Sequence, residues 1–203
     1  MLDRLWNSPS FNVPNTLTIL RIGMAFAMIW IFLDPSLFSA LVAGLIFAVA
    51  AITDFVDGQW ARSNGSITTF GKILDPIADK ILVLGAFAVL AYLSIFNFWL
   101  VVPILIREIA ITAFRIYFLT KGVAVAAEKS GKQKTTVQII AIGVIYLNLL
   151  FIKHFATSLS PDSAYYIGVG LTVLMYLFLL TAIWLTIYSG FLFFRNNWKL
   201  IAG

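Results

Sequence analysis

The sequence predicts an all-α integral membrane protein: a bundle of six transmembrane helices preceded by a short amphipathic N-terminal segment. Two observations carry that expectation. Hydrophobic residues make up 61% of the 203 and charged residues only 11%, with a mean hydropathy of +0.97, which leaves too little polar surface to cover a water-soluble globule. Apolar segments close to the ~20 residues a helix needs to cross a hydrocarbon core also recur along the whole chain, separated by short polar breaks. No stretch remains for a separate soluble domain, so residues 1–203 read as one domain.

The elements follow in order. Met1 to Asn12 sets Leu2, Leu5 and Trp6 beside Asp3 and Arg4, a pattern suited to lying on a membrane surface or to a frayed tail. It lacks the charged, apolar and small-residue regions of a cleaved signal peptide, so the first span is expected to stay. That span runs from Leu17 to Leu33 and stops at Asp34-Pro35; the second fills Leu37 to Ile52 and leads into an acidic pair. Polar residues dominate from Gln59 to Thr69. A third span covers Ile73 to Leu93, a fourth Phe98 to Phe118, a fifth Val137 to Ile152 and a sixth Tyr165 to Phe194.

Lysine and arginine orient these spans, because short loops rich in them stay cytoplasmic. Arg4, Arg21, Arg62, Lys72, Lys80, Arg107, Arg115, Lys121, Lys129, Lys132, Lys134, Arg195 and Lys199 fall at or beside one set of ends, whereas the opposite connections hold only Lys153. Both termini and the aspartate cluster of the second and third spans are therefore expected on the cytoplasmic side of the membrane. For many of these charges topology and attraction to anionic lipid are sufficient reasons. Trp6, Trp60, Trp198 and the aromatic run from Phe96 to Trp99 suit an interfacial belt, and no nucleic-acid site is expected.

Four aspartates stand out against this apolar background. A carboxylate at membrane depth is costly unless it is paired, metal-bound or facing water. Asp54 and Asp57 are three residues apart and Asp75 and Asp79 four, so each pair shares one helix face. Two helices joined by a short connection would bring the pairs together, where like charges repel unless cations neutralise them. The chain has no cysteine and a single histidine, His154, so any metal must be held by oxygen. Hard divalent ions fit, and two of them about 4 Å apart form a clamp for displacement at phosphorus. The structural alternative is ion pairing with Arg62, Lys72 and Lys80.

The stretch Asp54-Phe-Val-Asp57-Gly58-Gln-Trp-Ala61-Arg62, followed by Gly71, Asp75 and Asp79 at fixed separations, resembles the signature of the CDP-alcohol phosphotransferases, with every signature position filled. The resemblance implies a six-helix, usually dimeric enzyme with two divalent cations, Mg2+ or Mn2+, that moves a substituted phosphate from a CDP-linked donor to an alcohol and releases CMP. It further implies that Asp54, Asp57, Asp75 and Asp79 ligate the metals and that Asp79 is the general base on the acceptor hydroxyl. Gly58 and Ala61 would let the nucleotide approach the helix, and Arg62 and Thr68 would contact the donor. An arginine fork does suit phosphate oxygens, while small residues such as Gly58 and Ala61 also serve close helix packing.

A second set of residues bears on the acceptor. Arg107 and Arg115 lie just over two helical turns apart, and Lys132 and Lys134 open the fifth span. Together they would form a basic pocket suited to an acceptor that carries its own phosphate; structural salt bridges, with Glu108 pairing Arg107, are the plainer reading. These segments and Asn12-Val-Pro-Asn15-Thr-Leu-Thr18-Ile-Leu-Arg21 resemble the bacterial phosphatidylglycerophosphate synthase branch of the family, from Asn12 to about Gln138, whereas the last span is generic. That likeness implies CDP-diacylglycerol as donor and sn-glycerol 3-phosphate as acceptor, with Asn15 and Thr18 near the nucleotide and membrane lipids around the bundle. Cardiolipin, phosphatidylserine and inositol-phosphate lipid synthases are the competing assignments. A divalent-cation transporter is remote, since its carboxylates would line a path across the membrane.

Overall fold

The computed structural model describes residues 13–34, 36–64, 69–123 and 129–201, with side chains at all of these except 13–15, 54–64, 69–73, 75, 76, 119, 129–132, 199 and 201. The expected amphipathic segment Met1 to Asn12 lies outside the described residues. Every regular element among those described is helical. Six are long: α1 (Val13–Phe32), α2 (Leu37–Asn64), α3 (Thr69–Tyr92), α4 (Val102–Thr120), α5 (Lys129–Leu150) and α6 (Pro161–Asn196); a short α7 (Trp198–Ile201) follows. Among the described residues two stretches, Gln133–Ser158 and Pro161–Asn196, are long and apolar enough to cross a membrane by length and composition. At 1.5 Å per residue the 36 residues of α6 extend roughly 54 Å, well beyond a hydrocarbon core of about 30 Å.

Local chemistry explains where the helices begin and end. Ser36 Oγ accepts the Ser39 N–H at 3.1 Å and so caps α2, while Asp34 accepts from the Ser36 N–H at 3.1 Å and from the Ser39 hydroxyl at 2.6 Å. These bonds to its charged form, the Ser39 hydroxyl foremost, hold the exposed Asp34 carboxyl below its ordinary value. Asn97 accepts from the Trp99 N–H and starts a 3-10 turn, Phe98–Leu100, so α4 begins at Val102 rather than at Phe98. Gly122, at φ +80°, ends α4: its left-handed backbone lets the Val123 N–H reach back to the Phe118 carbonyl at 2.9 Å. Ser160, accepting from the Ser163 N–H, and Pro161 in the first turn start α6 four residues before the expected Tyr165. α5 leaves regular geometry in a π turn, Phe151–Phe155, which carries Lys153 and His154.

The chain forms two compact units, Met1–Val89 and Leu90–Gly203. In the first, α1 buries Thr18, Arg21, Ala25, Met28 and Phe32, and α2 buries Ala40, Ala43, Phe47 and Ala50. Both stripes repeat at three- and four-residue intervals, the signature of one helix face, and α1 packs on α2. Lipid tails are as apolar as leucine, so burial alone gives such helices little reason to associate; small residues that permit close van der Waals contact do. Gly85 on α3 shows the closeness, since a Cβ there would stand 2.6 Å from Ile29 Cδ1 on α1.

In the second unit α6 packs against both α4 and α5. Its buried positions, Met175, Leu179, Ala182, Thr186, Ser189, Gly190 and Phe193, follow the same three- and four-residue rhythm. The apolar part of that face meets Asn148 of α5, whose side-chain amide donates to the Met175 sulfur at 3.2 Å. The polar part meets the residues considered next.

Candidate functional site

The first unit carries the acidic motif. α2 continues through Asn64, so Asp54, Asp57, Gly58, Ala61 and Arg62 occupy its C-terminal part, and α3 starts at Thr69, so Asp75 and Asp79 occupy its N-terminal part. A connection of only four residues, 65–68, joins those two ends. Thr68 lies outside the described residues, as do the side chains of Asn15, Asp54, Asp57, Gly58, Ala61, Arg62 and Asp75. Asp79 is described: its Oδ2 accepts from Lys80 Nζ at 2.8 Å, with both side chains partly exposed at 24% and 20%. Among the described residues no three His, Asp or Glu side chains are grouped so as to hold a metal. Thr18 and Arg21, one turn apart on α1, are each 2% exposed. A buried arginine beside a buried threonine on an apolar helix signals a polar role for this face; Asn15 and Thr18 were expected near the nucleotide, and Arg21 had no such role.

The second unit holds the basic residues, apart from Lys132, whose side chain lies outside those described. α4 supplies Arg107, Glu108 and Arg115, and α5 supplies Lys134 and Gln138. Glu108 is 1% exposed, and its Oε1 accepts from Lys134 Nζ, from Arg107 Nη1 at 3.2 Å and from Gln138 Nε2 at 3.3 Å. Lys134 is 3% exposed. One carboxylate oxygen therefore gathers donors from two helices. Such charge-assisted bonds are about twice as strong as neutral ones, and a carboxylate this deep needs them.

The third helix closes the network. Gln138 Nε2 also donates to Thr186 Oγ1 at 3.0 Å, and the Thr186 hydroxyl donates to the Ala182 carbonyl at 2.6 Å. Arg107 Nη2 donates to Ser189 Oγ at 3.0 Å, and the Ser189 hydroxyl reaches the Thr186 carbonyl at 3.1 Å. Arg115 takes a different partner: its guanidinium carbon lies 5.3 Å from the centre of the Phe193 ring, a cation–π contact, and Phe114 meets the same ring edge-on. The structure thus brings Arg107 and Lys134 together on Glu108, and sets Arg115 on α6. Glu108 pairs Arg107 as the plainer sequence reading had it, but it binds Lys134 as well. Gln138, Thr186 and Ser189 had no assigned role. Their one sequence signal was a polar residue on an otherwise apolar span, which also occurs at ordinary helix contacts.

Comparison with known proteins bears on both units. The sequence profile of the family described as CDP-alcohol phosphatidyltransferase matches residues 11–188. A CDP-diacylglycerol–glycerol-3-phosphate 3-phosphatidyltransferase of Bacillus subtilis (strain 168) is 32% identical over 94% of this chain and 97% of its own length. A probable phosphatidylglycerophosphate synthase of Mycobacterium tuberculosis (strain H37Rv) is 41% identical over 71% of this chain and 70% of its own. The Escherichia coli (strain K12) CDP-diacylglycerol–glycerol-3-phosphate 3-phosphatidyltransferase is 40% identical over 65% of this chain and 75% of its own. A profile match over residues 11–188 and a relative 32% identical across 94% of the length agree on one assignment: the chain belongs to the CDP-alcohol phosphatidyltransferase family.

Proposed function

We propose that this chain transfers the phosphatidyl group of CDP-diacylglycerol to sn-glycerol 3-phosphate, giving phosphatidylglycerol phosphate and CMP. The observation that carries this reading is the similarity over 94% of the chain to the Bacillus subtilis enzyme named for that activity. The clustered basic side chains Arg107 and Lys134 support it, since an acceptor with its own phosphate rewards such a site and a neutral alcohol does not.

The reaction is a single displacement. The acceptor hydroxyl forms the new oxygen–phosphorus bond as the bond to the CMP oxygen breaks, and Asp79 takes the hydroxyl proton. Asp79 is partly exposed, and Lys80 engages its Oδ2, which leaves Oδ1 to meet the hydroxyl. Arg62 binds the donor phosphates, Gly58 and Ala61 leave room for the nucleotide, and Asn15, Thr18 and Thr68 contact the donor. Arg107, Arg115, Lys132 and Lys134 hold the acceptor phosphate. The donor set on α2 and α3 is four carboxylates with neither thiol nor imidazole, which fits hard divalent ions. Asp54, Asp57, Asp75 and Asp79 would hold two of them, Mg2+ or Mn2+, which when bound neutralise the charge of the donor's pyrophosphate.

The six long helices serve as six spans of a single-domain, homodimeric protein of the bacterial inner membrane, with termini and site facing the cytoplasm. Purified protein given CDP-diacylglycerol and Mg2+ should release CMP only when glycerol 3-phosphate is added. Turnover with inositol phosphate or phosphatidylglycerol instead would overturn the acceptor assignment. Asp79→Asn should abolish turnover without altering thermal unfolding, and chelation should abolish it reversibly.

A further inference from the structure

The basic side chains assigned to the acceptor phosphate come from α4 and α5, and two of them, Arg107 and Arg115, take contacts from α6. Ser189 Oγ receives Arg107 Nη2 at 3.0 Å. At the next residue, Gly190, a Cβ would stand 3.1 Å from Arg107 Cγ and 3.5 Å from its Nε, so the bare backbone there is what lets the arginine stem lie along α6. One turn further the Phe193 ring carries the Arg115 guanidinium. One turn back Thr186 holds Gln138, which shares the Glu108 oxygen with Lys134 and Arg107. Positions 186, 189, 190 and 193 occupy one helix face. Thr186, Ser189 and Phe193 are at most 1% exposed.

We propose that this face of α6, Ser189 and Gly190 foremost, is a positioning wall: it sets the reach and angle of Arg107 and, through Gln138 and Glu108, of Lys134, and so decides how tightly the acceptor phosphate is held. The inference rests on the glycerol 3-phosphate reading of the site. Arginine and lysine are rich in rotamers, and ordering them before the ligand arrives removes that cost from the binding step. Ser189 and Gly190 touch the arginine rather than the substrate, so their influence falls on acceptor affinity. The family profile ends at residue 188, which places Ser189, Gly190 and Phe193 beyond the matched segment.

The test is CMP release by the full-length protein in mixed micelles, with each substrate varied in turn. Ser189→Ala and Gly190→Ala should each raise KM for glycerol 3-phosphate about tenfold, the size of a lost hydrogen bond to a charged group, with KM for CDP-diacylglycerol and the saturating kcat changed less than about threefold. Thr186→Val should raise the same KM, while Thr186→Ser, which keeps the hydroxyl, should retain the parental value. A purely structural role would move both KM values and kcat together and lower the unfolding midpoint. Unchanged acceptor KM in the Ser189 and Gly190 variants, or equal rises for both substrates, overturns the proposal. Absence of turnover with glycerol 3-phosphate in the unmodified protein refutes the acceptor reading, and the positioning proposal falls with it.

Discussion

Glu108→Gln isolates the charge at the centre of the buried network, because glutamine keeps the shape and can still meet Gln138 while the negative charge is gone. The side chains of Glu108 and Lys134 are 2% and 4% exposed, so water cannot replace the lost partner. Removing one member of a buried ion pair typically costs about 3–5 kcal/mol. A neutral hydrogen bond between membrane helices, such as that from Gln138 to Thr186, averages only about 0.6 kcal/mol. The charged pair is therefore expected to dominate the stability of this network. Lys134→Met should cost less than Glu108→Gln, because Glu108 keeps Arg107, and the double variant should cost less than the sum of the two, because no lysine charge is then left without its carboxylate. Reversible unfolding in mixed micelles, followed by circular dichroism, measures all three variants. A coupling of about 2–3 kcal/mol is expected; losses that add to within about 0.5 kcal/mol would refute the view that the two side chains act as one unit.

Two further outcomes are expected. Gly85→Ala sets a Cβ where Ile29 Cδ1, the end of a flexible and partly exposed side chain, stands 2.6 Å away, so the isoleucine should turn aside at a cost of about 1 kcal/mol or less; Ile29→Val, which lacks that atom, should remove the cost in the same unfolding assay. The Asp34 carboxyl is held below its ordinary value of 3.8 by the Ser39 and Ser36 bonds, so its contribution is present above that value and is lost as pH falls through the lower, folded one. The unfolding midpoint of the parent should therefore fall more steeply than that of Asp34→Ala as pH drops below 3.8, and parallel pH profiles would contradict the clamp.

The helical class and the order of the long helices were legible because a bilayer imposes one requirement on every span: about 20 apolar residues whose backbone bonds are closed within the segment. The acidic motif was legible for a related reason. Asp54, Asp57, Asp75 and Asp79 are conspicuous in a chain with so few charges, and their spacing follows directly from helical geometry. Helix ends were read less well. The expected start at Tyr165 fell four residues inside α6 because the Ser160 cap and Pro161 act through the backbone, which hydropathy does not register.

The amino-acid order by itself thus determined that this protein is helical, that its helices are apolar enough for a membrane-associated family, and which family its motif resembles. Only the tertiary structure decided which partners the basic residues take. Glu108 could be paired with its neighbour Arg107 by inspection, but its bond to Lys134 spans 26 residues and the bond from Arg107 to Ser189 spans 82. Such contacts depend on which faces of α4, α5 and α6 meet. That is settled by the packing of small and apolar side chains along the whole length of each helix, and no local pattern around residue 189 announces it.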